Sequence, residues 1–477
     1  MKIKEFIKKH KYILSFCILL ISLSFFMMFL FQKESDYFWH IKAGEYMFKN
    51  NLVLNKDVFS WFMRGKYWMS HEWAFDYLIY FLKYVFGNLH LFIYPFVCIL
   101  SLLMILFFTN KDGYLKNIIF SLCWIICFLI FCVYIQARPH LISFCFLALT
   151  IYFVYDLFEN EDSKKIYFLP LITLFWTNFH GGSSNLSYLF CFVFLIIGLF
   201  KFDFSKIKAK RLSRKQIFKY LVVSVLCMAM ICINPHGFRM LIYPYQNILD
   251  NVMINFISEW QPTTLSNVSH YPYFMLITFL LFIFLFSKKK IRFIDLALFG
   301  ISIILALKSI RFWGYTYIIM TYVVFYYVPE RKPDRGSCRM LLVLASIFFI
   351  FFIIKVPEIL VEYDHTVISD KMISVIKKEA PQKLYNMYDY GGELIYNEID
   401  VFVDGRADLY SRANLKDYDN ISRLENDYVK LIDKYYFDYF LVMKKYPINT
   451  YLKYSDSYQE VYSEKDIVFY KKKNSTI

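Results

Sequence analysis

A series of short polar stretches punctuates an otherwise apolar chain. They are ESDYFWH (34–40), with Asp36 and His40; HEW (71–73), with His71 and Glu72; and QARPH (136–140), with Arg138 and His140. Further along come NFHGG (178–182), with His180; NPHG (234–237), with His236; SEWQPT (258–263), with Glu259; and SIRFW (309–313), with Arg311. These residue types can do chemistry. A carboxylate can act as a general base toward a hydroxyl or amine, or hold Mg²⁺ or Mn²⁺. Arg138, His140 and Arg311 can bind phosphate through charge-assisted hydrogen bonds. An acid beside phosphate binders suits a substrate activated by a lipid phosphate. No GxxxxGK[ST] or GxGxxG pattern points to an ATP- or NAD-driven process.

Each stretch also has a plainer reading. Asp36 or His40 can cap or anchor an interfacial helix, and Glu72 can cap the helix that follows it. Arg138 can snorkel to headgroups, and NFHGG and NPHG can be turns. Glu259 resists such a reading, because 251–291 contains no other acid. Ionisable groups near membrane depth cost roughly 2.5–3.5 kcal/mol on insertion scales and mark function.

The elements that must position these residues are membrane spans. The chain has 477 residues, 58% hydrophobic and 21% aromatic, with 53 Phe and 41 Tyr, more apolar side chain than a soluble fold can hide. Runs of roughly 18 or more apolar residues are long enough to cross a bilayer. About eleven are expected, at 12–31, 89–108, 117–134, 139–156, 166–179, 184–200, 218–233, 272–287, 293–308, 312–328 and 340–356. The first follows a basic start but lacks a small-residue cleavage site, and reads as a retained anchor. The fold class is thus a polytopic α-helical membrane protein.

The net charge of +15 describes topology rather than nucleic-acid binding. KIKAKRLSRK (206–215), KKKIR (288–292) and PERKPDR (329–335) all fall in loops on one side. The positive-inside rule makes that side cytoplasmic, with the N-terminus inside and anionic lipid headgroups as partners of the basic loops. Of ten Cys, all but Cys338 fall in expected spans, so no extracytoplasmic disulfide framework forms, and the near-helical spacing of Cys123, Cys127 and Cys132 reads as packing.

This topology gives a membrane domain at 1–356, with long outer loops at 32–88 and 234–271, and an extracytoplasmic soluble α/β domain at 357–477. In the first loop, DYFWHIKAGEYMFKN and HEWAFDYLIYFLKYVFG have helix-period aromatic faces and read as interfacial helices, and IYPYQNILDNVMINFI in the fourth is also amphipathic. In the tail, 369–380 reads as a helix with Met372, Ile373 and Ile376 on one face, and 420–436 as another. KLYNMY (383–388), DVFVD (400–404), DYFLVMK (438–444) and DIVFYKK (466–472) read as strands. The orientation came from Lys and Arg. All the polar stretches then fall on the outer side, as do seven of nine His up to 271. That one-sidedness points to an outward-facing polar cavity.

These residues resemble the GT-C class of membrane glycosyltransferases. SDYFWHIKAGEYMFKNN looks like that class's first-loop signature, which implies that Asp36 is the catalytic acid-bearing position. ISEWQPTT (257–264) is similar to a late outer-loop motif of the oligosaccharyltransferase catalytic subunit, which implies a role for Glu259. MYDYGGELI (387–395) keeps Asp389, Tyr390 and Gly391 of that family's tail motif, with both Trp replaced, and Arg311 resembles its donor-phosphate arginine. Uncharacterised bacterial GT-C-like membrane proteins share DYFWH, NKDVFSW, HEW, NFHGG and DGRADLY (404–410). YIQARPH lacks the family's acidic pair. The class and the donor type therefore carry over, and N-glycosylation does not.

The resemblance implies transfer of a sugar or glycan from a polyprenyl-phosphate-linked donor to an extracytoplasmic acceptor, at the first and fourth outer loops. Asp36 and Glu259 are the expected catalytic or metal-holding residues. Arg311, with Arg138 or His140, is expected to hold phosphate. His40, Glu72, His180, His236, Asp389, Asp404 and Arg406 are expected to line the cavity or acceptor groove. A surface-polysaccharide polymerase or ligase shares donor and face. A flippase would need ionisable residues along the spans and paired repeats, which are not visible. A silent scaffold presenting the tail is the remaining alternative.

Overall fold

A computed structural model describes residues 2–28, 35–128, 136–248, 258–331, 333–362 and 367–473. Glu34, the ends of the first and third expected spans, and the second half of IYPYQNILDNVMINFI lie outside the described residues. The chain divides into two units: 1–32, 88–246 and 257–362 form the first, and 33–87, 247–256 and 363–477 the second. Residues 33–87 therefore group with the tail, not with the rest of the helices, a grouping that linear composition does not reveal.

Unit one is helical. Over the described residues each expected span overlaps a helix, from Lys2–Met27 through His90–Thr109, His140–Glu159 and Phe293–Lys308 to Arg335–Glu362. Among the described residues of the whole chain, five segments are long and apolar enough to cross a membrane: Lys8–Met27, Trp73–Thr109, His140–Glu159, Val268–Phe286 and Gly336–Lys355. The other helices are shorter or less apolar. Pro170 sits in the first turn of Leu169–Phe179, where its missing N–H is not needed. Ser213 and Gln216 form a capping box at the start of Arg214–Ile231. A small sheet joins two basic loops: β1 (Phe202–Phe204) pairs antiparallel with β2 (Ile207–Ala209), and β2 pairs parallel with β3 (Ile291–Arg292).

Unit two mixes helices with a sheet of β4 (Leu384–Asn386), β5 (Tyr439–Met443), β6 (Tyr458–Glu464) and β7 (Ile467–Lys472), in the order β4-β5-β7-β6. Only β4 and β5 run parallel. Its core packs Tyr385, Phe402, Phe437, Phe440 and Leu441, all at most 1% exposed. Burying side chains of this size stabilises by roughly 1.5–3 kcal/mol each.

Helix Asp370–Glu379 buries Met372, Ile373 and Ile376 as their spacing requires. DVFVD, however, is not a strand. Val401 makes one bridge to Ser60, and the next bonds go to the Asn386 side chain, whose Oδ1 accepts from Phe402 N and whose Nδ2 donates to Val403 O. The expected helix at 420–436 is broken as well. Arg412–Arg423 ends at Leu424, and Tyr428–Tyr435 begins after Asp427; Leu424, Asn426 and Asp427 all have positive φ. A left-handed residue cannot continue a right-handed helix.

Candidate active site

The polar residues of unit one gather at one corner. SEWQPTT lies along the turn carrying Arg311: Ile310 N donates to Gln261 O at 3.1 Å, Thr263 N to Leu307 O at 3.0 Å, and Ser309 Oγ to Glu259 O at 2.8 Å. Trp313 Nε1 donates to Thr263 Oγ1 at 2.9 Å. These bonds fix Glu259 and Arg311 on one scaffold. Arg138, just before helix His140–Glu159, reaches Glu259 Oε1 at 2.6 Å, so it is an ion-pair partner and not a snorkelling side chain. The His140 ring packs on Phe144, and Phe144 on Tyr315 in the helix that follows Arg311.

His180 completes the corner. An Arg guanidinium only donates. Its Nη2 lies 3.1 Å from His180 Nε2, which must therefore accept, leaving the ring proton on Nδ1. That Nδ1–H donates to Ser143 Oγ at 2.6 Å, with Ser183 Oγ at 3.0 Å, and Trp176 Nε1 donates to both hydroxyls. Arg311 also stands 5.9 Å from the Trp260 ring centre. Among the described residues no carboxylate pairs with Arg311, so most of its fork of donors faces no anion within the protein. Asn178 ties NFHGG to the next polar turn by donating to Ile233 O at 3.0 Å, and Asn234 Oδ1 accepts from the backbone N of His236 at 2.7 Å.

Unit two builds a separate cluster. Asp36 opens helix Asp36–Asn50, the element expected from its aromatic face, and is half-buried. The loop DGR packs its backbone onto it. A Cβ at Gly405 would fall 1.7 Å from Asp36 Oδ1, and one at Gly392 would fall 2.0 Å from Ser35 O. Glycine is needed at both places for close approach. Asp404 and Arg406, expected in an acceptor groove, are instead wholly enclosed, at 0% and 1% exposed. Arg406 bonds Asp404 at 2.7 and 2.8 Å and Asp57 at 2.7 Å, and Tyr410 donates to Asp404 at 2.6 Å. Phe59 and Trp68 lie against its guanidinium. This pair shapes the loop that meets Asp36. Asp389 has an exposed edge, but the surrounding protein, and then the Asp36 charge, push its carboxyl above the ordinary range.

His40 and Glu72 join a buried relay of acids and imidazoles. His40 Nδ1 lies 2.5 Å from Asp76 Oδ1, and His40 Nε2 lies 3.7 Å from Glu72. Glu72 does not cap its helix; its other oxygen is 3.4 Å from His71, which in turn lies 3.6 Å from Asp408. Burial opposes the charging of His71, but Glu72 and Asp408 outweigh it and raise its pKa to about 10. Trp39 stacks on His40, with ring centres 3.6 Å apart.

Asp57, Asp76, Asp408, Ser143 and Ser183 escape the sequence reading. The usable signals were spacing: Asp76 lies one helical turn after Glu72, and Ser183 follows NFHGG directly. Among the described residues, no group of three or more His, Cys, Asp or Glu is arranged to hold a metal ion.

No protein-family model matches the chain, and no curated protein does. Solved structures do. The archaeal oligosaccharyltransferase AglB from Archaeoglobus fulgidus, in complex with an inhibitory peptide and a dolichol-phosphate, is 11% identical with a TM-score of 0.52, over 91% of this chain and 70% of that one. The crystal structure of an Archaeoglobus fulgidus oligosaccharyltransferase in the apo form is 13% identical with a TM-score of 0.46, over 86% of this chain. The present chain covers 66% of that enzyme's length. The AglB likeness shows a shared fold, the GT-C-like fold that the motifs resemble.

Proposed function

We propose that the chain is a membrane glycosyltransferase that moves a sugar or glycan from a polyprenyl-phosphate-linked donor to an acceptor outside the cell. One observation carries the reading: unit one holds Arg311, with no carboxylate partner among the described residues, on the same scaffold as the Glu259–Arg138 pair. A guanidinium whose protein partner is a neutral imidazole keeps its charge for a ligand. The donor's phosphate is that ligand, with His140 and Arg138 as secondary contacts. A dolichol-phosphate in the AglB complex supports a lipid-linked donor for this fold.

In this reading the acceptor's O–H or N–H loses its proton to the Asp36 carboxylate. The acceptor atom attacks the anomeric carbon, the bond from that carbon to the phosphate oxygen breaks, and the lipid phosphate leaves with the electron pair. Arg311 stabilises the charge that grows on that phosphate. Glu259 orients Arg138, and Asp389 contributes to the acceptor side. The reading includes the eleven-span topology, with the N-terminus cytoplasmic and the 357–477 region outside. No step is routed through a cation. Asp36→Asn and Glu259→Gln, each in stably inserted protein, are expected to abolish transfer of the glycan. Full transfer by the variant carrying both changes would remove the catalytic roles.

A further inference from the structure

Away from that corner, a cavity of about 160 Å³ opens where the two basic loops of unit one meet. The parallel pairing of β2 with β3 sets Lys208 opposite Arg292, and Ile291 N donates to Lys206 O at 2.7 Å. Lys208, Lys210 and Arg292 line the cavity with the single acid Glu159, a formal sum of +2 from three cations and one anion. The charges are not equally committed. Arg292 is spent: it bonds Glu159 at 2.6 Å and the fully buried Asp295 at 2.6 and 3.0 Å. Glu159 is neutralised by the same contact. Lys210 gives one N–H to Phe158 O at 3.1 Å and keeps two. The Lys208 ammonium makes no hydrogen bond or ion pair among the described residues, its backbone alone being held in the sheet.

The remaining walls are apolar, and they continue outward. Phe293 lines the cavity and packs against Phe200 and Phe202 at 5.8 and 5.2 Å. Beyond them Phe204, Leu199 and Phe200 are 75%, 58% and 48% exposed, and Leu285 and Phe286 of the adjoining helix end are 63% and 75% exposed. Lys206 ties the two patches by donating to Leu285 O. Two ammonium groups at a small polar pocket, continuous with exposed hydrocarbon, match one kind of molecule.

We propose that this cavity binds the phosphate headgroup of an anionic phospholipid, held by Lys208 and Lys210, with its acyl chains along the Phe204–Phe286 rim. The site is independent of glycan transfer. Each Lys near an anionic surface strengthens binding several-fold, and the continuous apolar rim favours a lipid over a soluble phosphate.

Thermal melting of the detergent-solubilised full chain tests it, with phosphatidylglycerol, phosphatidylcholine or glycerol 3-phosphate added. Phosphatidylglycerol is expected to raise the melting temperature and phosphatidylcholine to leave it unchanged. Lys208→Gln with Lys210→Gln should shift half-saturation upward by roughly tenfold or more, and Lys208→Gln alone by roughly fivefold. The single variant breaks no internal bond, so it keeps the test clear of folding effects. Equal stabilisation by both lipids, or wild-type saturation in the double variant, would overturn the site. A full shift with glycerol 3-phosphate alone would overturn the lipid assignment in favour of a soluble phosphate ligand.

Discussion

Two arginines, Arg311 in unit one and Arg406 in unit two, stand out equally in the sequence, and the structure treats them oppositely. Arg406 is enclosed, bonded to two buried carboxylates and flanked by Phe59 and Trp68. Arg311 touches a neutral imidazole and the face of Trp260. The lesson is that partner type decides role. A guanidinium saturated by carboxylates holds a loop, whereas one held by a neutral acceptor keeps its charge for an incoming anion.

The largest expected effect breaks this comparison at the structural side. Arg406→Met leaves Asp404 and Asp57 buried without their cation, which costs about 3–5 kcal/mol. Denaturation of the membrane-extracted protein, or its loss from membranes, is the readout. Arg311→Gln should do the reverse: stability within about 1 kcal/mol of wild type, and transfer reduced roughly 100-fold or more, as for the loss of a single charge-stabilising donor. If Arg311→Gln unfolds the protein and Arg406→Met only slows transfer, the assignment is inverted.

A finer test bears on the loop that Arg406 shapes. Gly405→Ala places a methyl group 1.7 Å from where Asp36 Oδ1 now lies, so the carboxylate must move. A shift of that size in a reacting group costs roughly 100-fold in rate. A folded Gly405→Ala variant with full activity would separate this loop from Asp36 function.

The smallest effect is a pH dependence. The pKa of His71 is raised, so its contribution to stability is complete below the ordinary value of 6.5 and is lost as pH rises through about 10. The melting temperature should fall across that window, and His71→Gln should flatten the fall. An unchanged alkaline slope in His71→Gln would remove the ion-pair role of Glu72 and Asp408.

Much of the fold was legible because long apolar runs leave few options. Over its described residues each expected span overlaps a helix, and Asp36–Asn50 is bounded as its aromatic face implied. What failed were elements settled by single side chains. Asn386 captures the Phe402 and Val403 backbone groups, so an alternating run is no strand. Glu72 had the position of a cap and instead faces His40 and His71. The site was legible in part for the same reason. Glu259 and Arg311 sit in short motifs that meet by backbone bonds across about 50 residues. Asp404 and Arg406 carry the same residue types, and burial, which no local pattern encodes, turns them inward.

The proposed transfer requires Arg311, Asp36 and a lipid-linked donor. Mass spectrometry of lipid-linked and surface glycans tests this directly, in a strain lacking the gene and carrying wild-type, Asp36→Asn or Arg311→Gln protein at equal membrane abundance. A surface glycan is expected to be lost, and its lipid-linked precursor to accumulate, in the deletion and in both variants. Restoration of that glycan to wild-type levels by both variants would contradict that requirement.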